Sequence, residues 1–120
     1  MTPSIIVNCT HGREEAERAT LSFVVGNVSA TADQPTAVLL TCDGVWLATP
    51  GYADGIEQPG LPALREVLAS FVAAGGEIWA CGACTGPRGI TEAGLVPGAR
   101  IVSAAMVVEA MASGARTLTF

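Results

Sequence analysis

Two cysteines with the spacing Cys-x-x-Cys are the strongest chemical signal in this sequence. Cys81 and Cys84 follow the short apolar run 78–80 and lie within a Gly-rich segment that extends to residue 89. In an α/β protein, an apolar run that ends in a Gly-rich turn marks the carboxyl end of a sheet strand, where ligands and reactive groups usually lie. The sequence therefore predicts thiol chemistry at a strand end.

A working thiol needs a neighbour that stabilises negative charge, because only the thiolate is nucleophilic. Three local features offer this to Cys81: the backbone N–H groups of the Gly-rich turn, the side chain of Arg88 seven residues on, and the second thiol, Cys84. We expect Cys81 to be the reactive residue, with Cys84 and Arg88 as the other candidate catalytic residues.

Two further cysteines and the only histidine lie at predicted strand ends. Cys9 precedes Thr10, and Cys42 precedes Asp43, so parallel strands would bring four thiols to one sheet edge. Free cysteine is among the most buried residue types, and we interpret both residues as small apolar side chains. His11, in the first strand-to-helix turn, is interpreted as a solvated turn residue. A proton shuttle is the alternative, if the first and third strands are neighbours.

The sequence lacks features that other common functional sites require. Structural zinc sites normally use two closely spaced ligand pairs, and one is present here, so we expect no metal. In a thioredoxin-type protein the dithiol opens a helix early in the domain, whereas this pair lies two-thirds along the chain. The sequence contains no phosphate-binding loop, no dinucleotide fingerprint and no Gly-x-Ser-x-Gly elbow, and we expect no cofactor.

Runs of β-forming residues alternate with runs at helical spacing, which predicts an α/β fold with a parallel sheet in a single domain, residues 1–120. The predicted strands are 4–9, 36–42, 77–81, 99–102 and 115–120, and the predicted helices are 13–29, 61–74 and 104–112, with short helical turns at 91–95. The segment 45–62 is punctuated by Gly and Pro yet rich in apolar residues. We expect it to be covered, either as a lid over the strand ends or at a subunit contact.

Composition limits the partners. Half of the residues are hydrophobic, 14% are charged and the mean hydropathy is +0.47, which predicts a homo-oligomer because so few charges cover a monomer poorly. A net charge of −5, with six arginines and no lysine, argues against nucleic-acid binding. No export signal or membrane-spanning run is recognisable, and we expect a cytoplasmic protein with reduced thiols.

The chain resembles the DsrE/DsrF/TusD-like family of small sulfur-handling proteins. The resemblance rests on the cysteine that ends the third strand, the triplet Arg88-Gly89-Ile90, a last strand ending in Phe120, and the segments 43–47 and 51–54. It implies a flavodoxin-like three-layer α/β/α sandwich with strand order 2-1-3-4-5, assembly into homotrimers or homohexamers, and no flavin.

The resemblance also implies a function. In sulfur-relay members of the family, the cysteine matching Cys81 accepts sulfane sulfur as a persulfide and passes it to the thiol of a partner protein. The sequence thus predicts a persulfide carrier with sulfurtransferase-like chemistry, working with sulfur donor and acceptor proteins. Two alternatives stay open: a non-catalytic oligomeric module that binds a small ligand or partner, and a dithiol redox protein that uses Cys81 and Cys84.

Overall fold

The computed structural model describes residues 2–120 as five strands and four α-helices in one α/β unit. Every strand pair in the sheet is parallel. The strands are β1 (Ile5–Cys9), β2 (Thr36–Leu40), β3 (Glu77–Cys81), β4 (Ala99–Val102) and β5 (Arg116–Thr119); the helices are α1 (Ala16–Thr31), α2 (Leu64–Ala73), α3 (Gly82–Thr85) and α4 (Ala104–Ala112). The predicted parallel α/β fold is confirmed.

The helices form layers on both faces of the sheet. On one face, α1 and α2 pack side by side, and Phe23 meets Phe71 edge-to-face with ring centroids 5.7 Å apart. Gly26 lets α1 approach the sheet closely, since a Cβ at that position would come within 2.8 Å of Val38. The other face is covered by α4, whose Ala110 is buried against Trp79 and neighbouring strand residues. This is the expected three-layer sandwich.

The strand order differs from the expected 2-1-3-4-5. The sheet runs β4-β3-β2-β1-β5, so β2 lies between β1 and β3, and β5 pairs with β1. The order 2-1-3-4-5 needs α1 and α2 on opposite faces, because crossovers between parallel strands are right-handed. Here both helices pack on the same face, so β1, β2 and β3 follow one another in the same direction across the sheet.

The apolar segment 45–62 packs into the core of its own chain. The 3₁₀ helix Cys42–Ala48 buries Val45 and Leu47 completely. Trp46 stacks on Tyr52, whose hydroxyl accepts a hydrogen bond from the N–H of Arg13. The segment thus covers the carboxyl end of the sheet through internal contacts.

Gly76, the residue before β3, packs closely against the ring of Phe71, and a substitution there tests this packing. A Cβ at this position would overlap the ring of Phe71, which is fully buried and held against α1. We expect Gly76→Ala to lower the free energy of unfolding by about 1–3 kcal/mol, the usual cost of overpacking.

The matched control is Gly94→Ala, where the added methyl group would lie 3.7 Å from the nearest atom, in ordinary contact with Thr91. Urea unfolding of both variants measures the difference. Equal stabilities of the two variants would show that Phe71 is not fixed above the start of β3.

Candidate functional site

Cys81 is the last residue of β3 and lies at the carboxyl edge of the sheet, as the sequence predicts. Its backbone is still extended, and the next residue begins α3. The residue is partly exposed, whereas Ala80 before it is fully buried. The reactive candidate is therefore accessible at the rim of the sheet.

Cys84 lies in α3, within one helical turn of Cys81, and is hydrogen-bonded to the turn that follows β2. Its sulfur accepts a hydrogen bond from the backbone N–H of Cys42 at 3.1 Å, and its thiol is a neighbour of the Cys81 thiol. Burial raises the pKa of the Cys84 thiol. The N–H of Cys42 opposes that rise, while the neighbouring Cys81 and Cys42 thiols add to it. The folded protein thus favours the protonated form of Cys84.

Arg88 pairs with a carboxylate. Its Nε and Nη2 donate to one oxygen of Asp43, at 3.2 and 2.9 Å, and its Nη1 donates to the carbonyl oxygen of Cys84 at 3.0 Å. Arg88 is thus a fixed positive charge paired with Asp43, and its role in stabilising a Cys81 thiolate stays a prediction. The bonds of Arg88 hold the turn after β2 against the turn after β3.

An apolar pocket of about 230 Å³ opens beside Cys81. It lies where the connections leave the sheet in opposite directions. After β3 the chain stays on the α1 and α2 face, where Leu95 and Val96 pack, whereas after β4 it crosses to the α4 face. In open α/β sheets such a switch point is the usual ligand site. Eight residues line the pocket: Leu39, Thr41, Cys81, Val102, Ser103, Ala104, Val107 and Val108.

The other two cysteines have different surroundings. Cys9 is fully buried and its thiol donates to the carbonyl oxygen of His11, which agrees with its interpretation as an apolar side chain. Burial also raises the pKa of Cys9. The same interpretation is wrong for Cys42, which is exposed and has a left-handed backbone with φ of 53°.

His11 lies beyond β1, which is separated from β3 by β2. Its imidazole Nδ1 is 3.5 Å from a carboxylate oxygen of Glu14, three residues on. The condition under which we considered a proton shuttle, neighbouring first and third strands, is not met.

A metal centre and a membrane span were also sought in residues 2–120. The His, Cys, Asp and Glu side chains in this range include no group of three or more arranged to hold a metal ion. None of the helices formed by these residues combines the length and apolar character needed to cross a bilayer.

Comparison with known proteins tests the resemblance. The model of the DsrE/DsrF-like family matches residues 4–120. The chain belongs to the DsrE/DsrF-like family. The crystal structure of the ychN protein from E. coli aligns with a TM-score of 0.69 at 20% identity, over 98% of this chain and 99% of that one.

Two further proteins are similar to this chain, one in structure and one in sequence. The structure of the protein of unknown function MTH1491 from Methanobacterium thermoautotrophicum aligns with a TM-score of 0.67 at 16% identity, over 97% of both chains. At such identities, the likeness to the two solved structures shows the fold alone. The uncharacterized protein MJ0760 of Methanocaldococcus jannaschii is 30% identical over 99 residues, or 82% of this chain, and the chain spans only 36% of that relative's length.

Sequence reasoning missed Cys42 and Asp43 as parts of the site. The available signal was that Cys42 ends an apolar run before Asp43-Gly44, much as Cys81 ends one before a Gly-rich turn. The sequence does not indicate that β2 pairs with β3, and it is this pairing that brings the two strand ends together.

The raised pKa of Cys84 predicts how this thiol responds to pH. Because the folded protein favours the protonated form, alkylation of Cys84 by iodoacetamide should reach half its maximal rate at a higher pH than for an ordinary thiol, about 8.5. Peptide mass spectrometry after timed alkylation gives the rate at each pH.

The same peptide in the urea-unfolded protein is the control, since there Cys84 is hydrated and has no fixed neighbours. A folded-state midpoint at or below the unfolded one would contradict the burial that raises the pKa of Cys84.

Proposed function

We propose that this protein carries sulfane sulfur as a persulfide on Cys81 and transfers it to an acceptor thiol. The observation that supports this most is the position of Cys81, in the wall of an apolar pocket and next to the protonated thiol of Cys84. Membership of the DsrE/DsrF-like family, whose sulfur-relay members use a cysteine at this strand end, supports the same chemistry. All four cysteines are free, which fits the reducing cytoplasm.

The loading step exchanges one sulfur–sulfur bond for another. The Cys81 thiolate attacks the outer sulfur of a donor persulfide, RS–SH. A bond forms between that sulfur and Cys81, the RS–SH bond breaks, and RS⁻ leaves. The neighbouring Cys84 thiol, which keeps its proton at neutral pH, can donate a hydrogen bond to the attacking thiolate. The number of sulfur–sulfur bonds does not change, so the step needs no oxidant.

The lining of the pocket favours an apolar donor. Apart from Thr41, Ser103 and the Cys81 thiol, the side chains around it are aliphatic, and none carries a charge. An anionic donor such as thiosulfate would lose its hydration there without gaining a cation in return. An alkyl persulfide, by contrast, can bury its hydrocarbon chain against Val102 and Val107. We therefore propose an alkyl persulfide as the class of donor.

Cys84 provides a second route. Its thiolate can attack the inner sulfur of the Cys81 persulfide, which forms a Cys81–Cys84 disulfide and releases hydrosulfide. Because the pKa of Cys84 is raised, this route is slow at neutral pH and becomes faster as the pH rises. At neutral pH the persulfide therefore lasts long enough to be transferred.

Mass spectrometry after incubation with donors tests the assignment. An alkyl persulfide should add about 32 Da, the mass of one sulfur atom, to the peptide containing Cys81, and should do so faster than thiosulfate at equal concentration. Cys81→Ser should abolish this adduct, and the buried Cys9 provides an internal control that stays unmodified.

Three results would decide against the proposal. Equal labelling of Cys42, Cys81 and Cys84 would remove the special role of Cys81. Retention of a bound alkyl ligand by Cys81→Ser, with no sulfur transfer by the wild type, would favour a binding module. A Cys81–Cys84 disulfide that cycles with thiol reductants, without any persulfide, would favour a dithiol redox protein.

We further propose that the protein is a homo-oligomer that uses the outer face of α4 and the edge strand β5. Val108 is 63% exposed, and Met111 and Leu118 are each 49% exposed. All four residues of β5 are exposed along the edge of the sheet. Large apolar side chains exposed on α4 and at the open edge of β5 are typical of contact surfaces.

Met111→Glu should shift the assembly toward the monomer, because a charge at the contact costs desolvation. Light scattering coupled to gel filtration measures the mass, and Ala69→Glu, at an exposed position of α2 on the opposite face of the sheet, is the control for one added negative charge. A monomeric wild type would contradict the proposal.

A further inference from the structure

Cys42 is an exposed thiol held in a disfavoured backbone conformation. Besides Asp33, it is the only non-glycine residue among residues 2–120 with a positive φ. Left-handed backbone at a residue with a side chain persists only where the surrounding structure imposes it, and it often accompanies function. Gly44, two residues later, could adopt such a conformation without strain, yet the turn places it at Cys42.

Four hydrogen bonds hold this turn in place. The backbone N–H of Cys42 donates to the sulfur of Cys84. The next residue, Asp43, accepts from Arg88, and Arg88 in turn donates to the carbonyl oxygen of Cys84. The turn that carries Cys42 is therefore fastened to the turn that carries Cys84, at both the backbone and the side chain.

The register of the sheet places Cys42 one step beyond Cys81. The last aligned pair of β2 and β3 is Leu40 with Ala80, so Thr41 comes next to Cys81, and both line the apolar pocket. Neighbouring strands are separated by about 4.8 Å. Cys81 therefore borders the pocket, whereas Cys42, on the adjacent strand end, is open to solvent.

We propose that Cys42 is the exit thiol of the site: it takes the sulfane sulfur from Cys81 and presents it to a thiol on a partner protein. This inference rests on the proposed function, because Cys81 must first be loaded. It adds a residue with its own role, since a protein thiol can reach the exposed Cys42 more readily than a sulfur atom in the pocket wall.

The transfer is balanced without any further reactant. Cys42 loses its proton to solvent, and its thiolate attacks the outer sulfur of the Cys81 persulfide. A sulfur–sulfur bond forms at Cys42, the one at Cys81 breaks, and Cys81 leaves as a thiolate, ready for the next donor. An acceptor thiolate then attacks the outer sulfur on Cys42 in the same way.

Two substitutions distinguish the role of the Cys42 sulfur atom from the role of the Cys42 backbone conformation. Cys42→Ser keeps the strained conformation, whereas Cys42→Gly relieves it, and both keep the N–H that bonds to Cys84. Each variant is loaded with an alkyl persulfide and then mixed with one of two acceptors: a cysteine peptide immobilised on beads, too bulky for the pocket, or free 2-mercaptoethanol, which is small enough to enter.

Both variants should still load Cys81, and both should transfer sulfur to the immobilised peptide at least about tenfold more slowly than the wild type. Transfer to 2-mercaptoethanol should change little, because this acceptor reaches Cys81 directly. A purely structural role for Cys42 would instead make the serine and glycine variants differ from each other.

If both variants transferred sulfur to the immobilised peptide at the wild-type rate, the exit role of Cys42 would be overturned. The proposal that Cys81 carries a persulfide would be unaffected. A loss in only one variant would also overturn the exit role, since the two lack the same sulfur. Failure of the wild type to load Cys81 would overturn the proposed function, and the exit role with it.

Discussion

The parallel pairing of β2 with β3 is the constraint on which the site depends. Its last aligned pair, Leu40 with Ala80, brings the ends of these two strands together, and with them the residues Cys42, Cys81 and Cys84. The Asp43–Arg88 ion pair does not set this register, because it is partly exposed and such pairs contribute about 0–1 kcal/mol. The backbone hydrogen bonds and the buried strand residues set it, and the ion pair orients the turns.

The path of the chain explains why the apolar pocket and the Cys81 thiol lie at the same place. Because α1 and α2 share one face, the chain advances across the sheet from β1 to β4 before α4 returns over the other face to β5. The connections after β3 and β4 therefore diverge and leave a crevice between the two strand ends. Cys81 ends one of these strands, so a nucleophile and an apolar binding surface coincide.

Local features were predictable from the sequence, and long-range partners were not. The bounds of β3, β4 and α4 match the predictions, since Gly75-Gly76, Pro97-Gly98 and the Ser103 cap mark them locally. The strand order expected from the resemblance was wrong because it depends on how α1 packs against α2. The partner of Arg88 lies 45 residues away, and Cys42 is exposed because of a turn conformation that residue preferences do not predict.

The central claim of this account is that sulfur enters the protein at Cys81. The most direct measurement is a rapid-quench time course of the wild-type protein with an alkyl persulfide carrying isotopically labelled sulfur, followed by site-resolved mass spectrometry. The account predicts that label reaches Cys81 first and Cys42 later, while Cys9 stays unlabelled. Label that reaches Cys42 before Cys81, or all exposed thiols at the same rate, would contradict it.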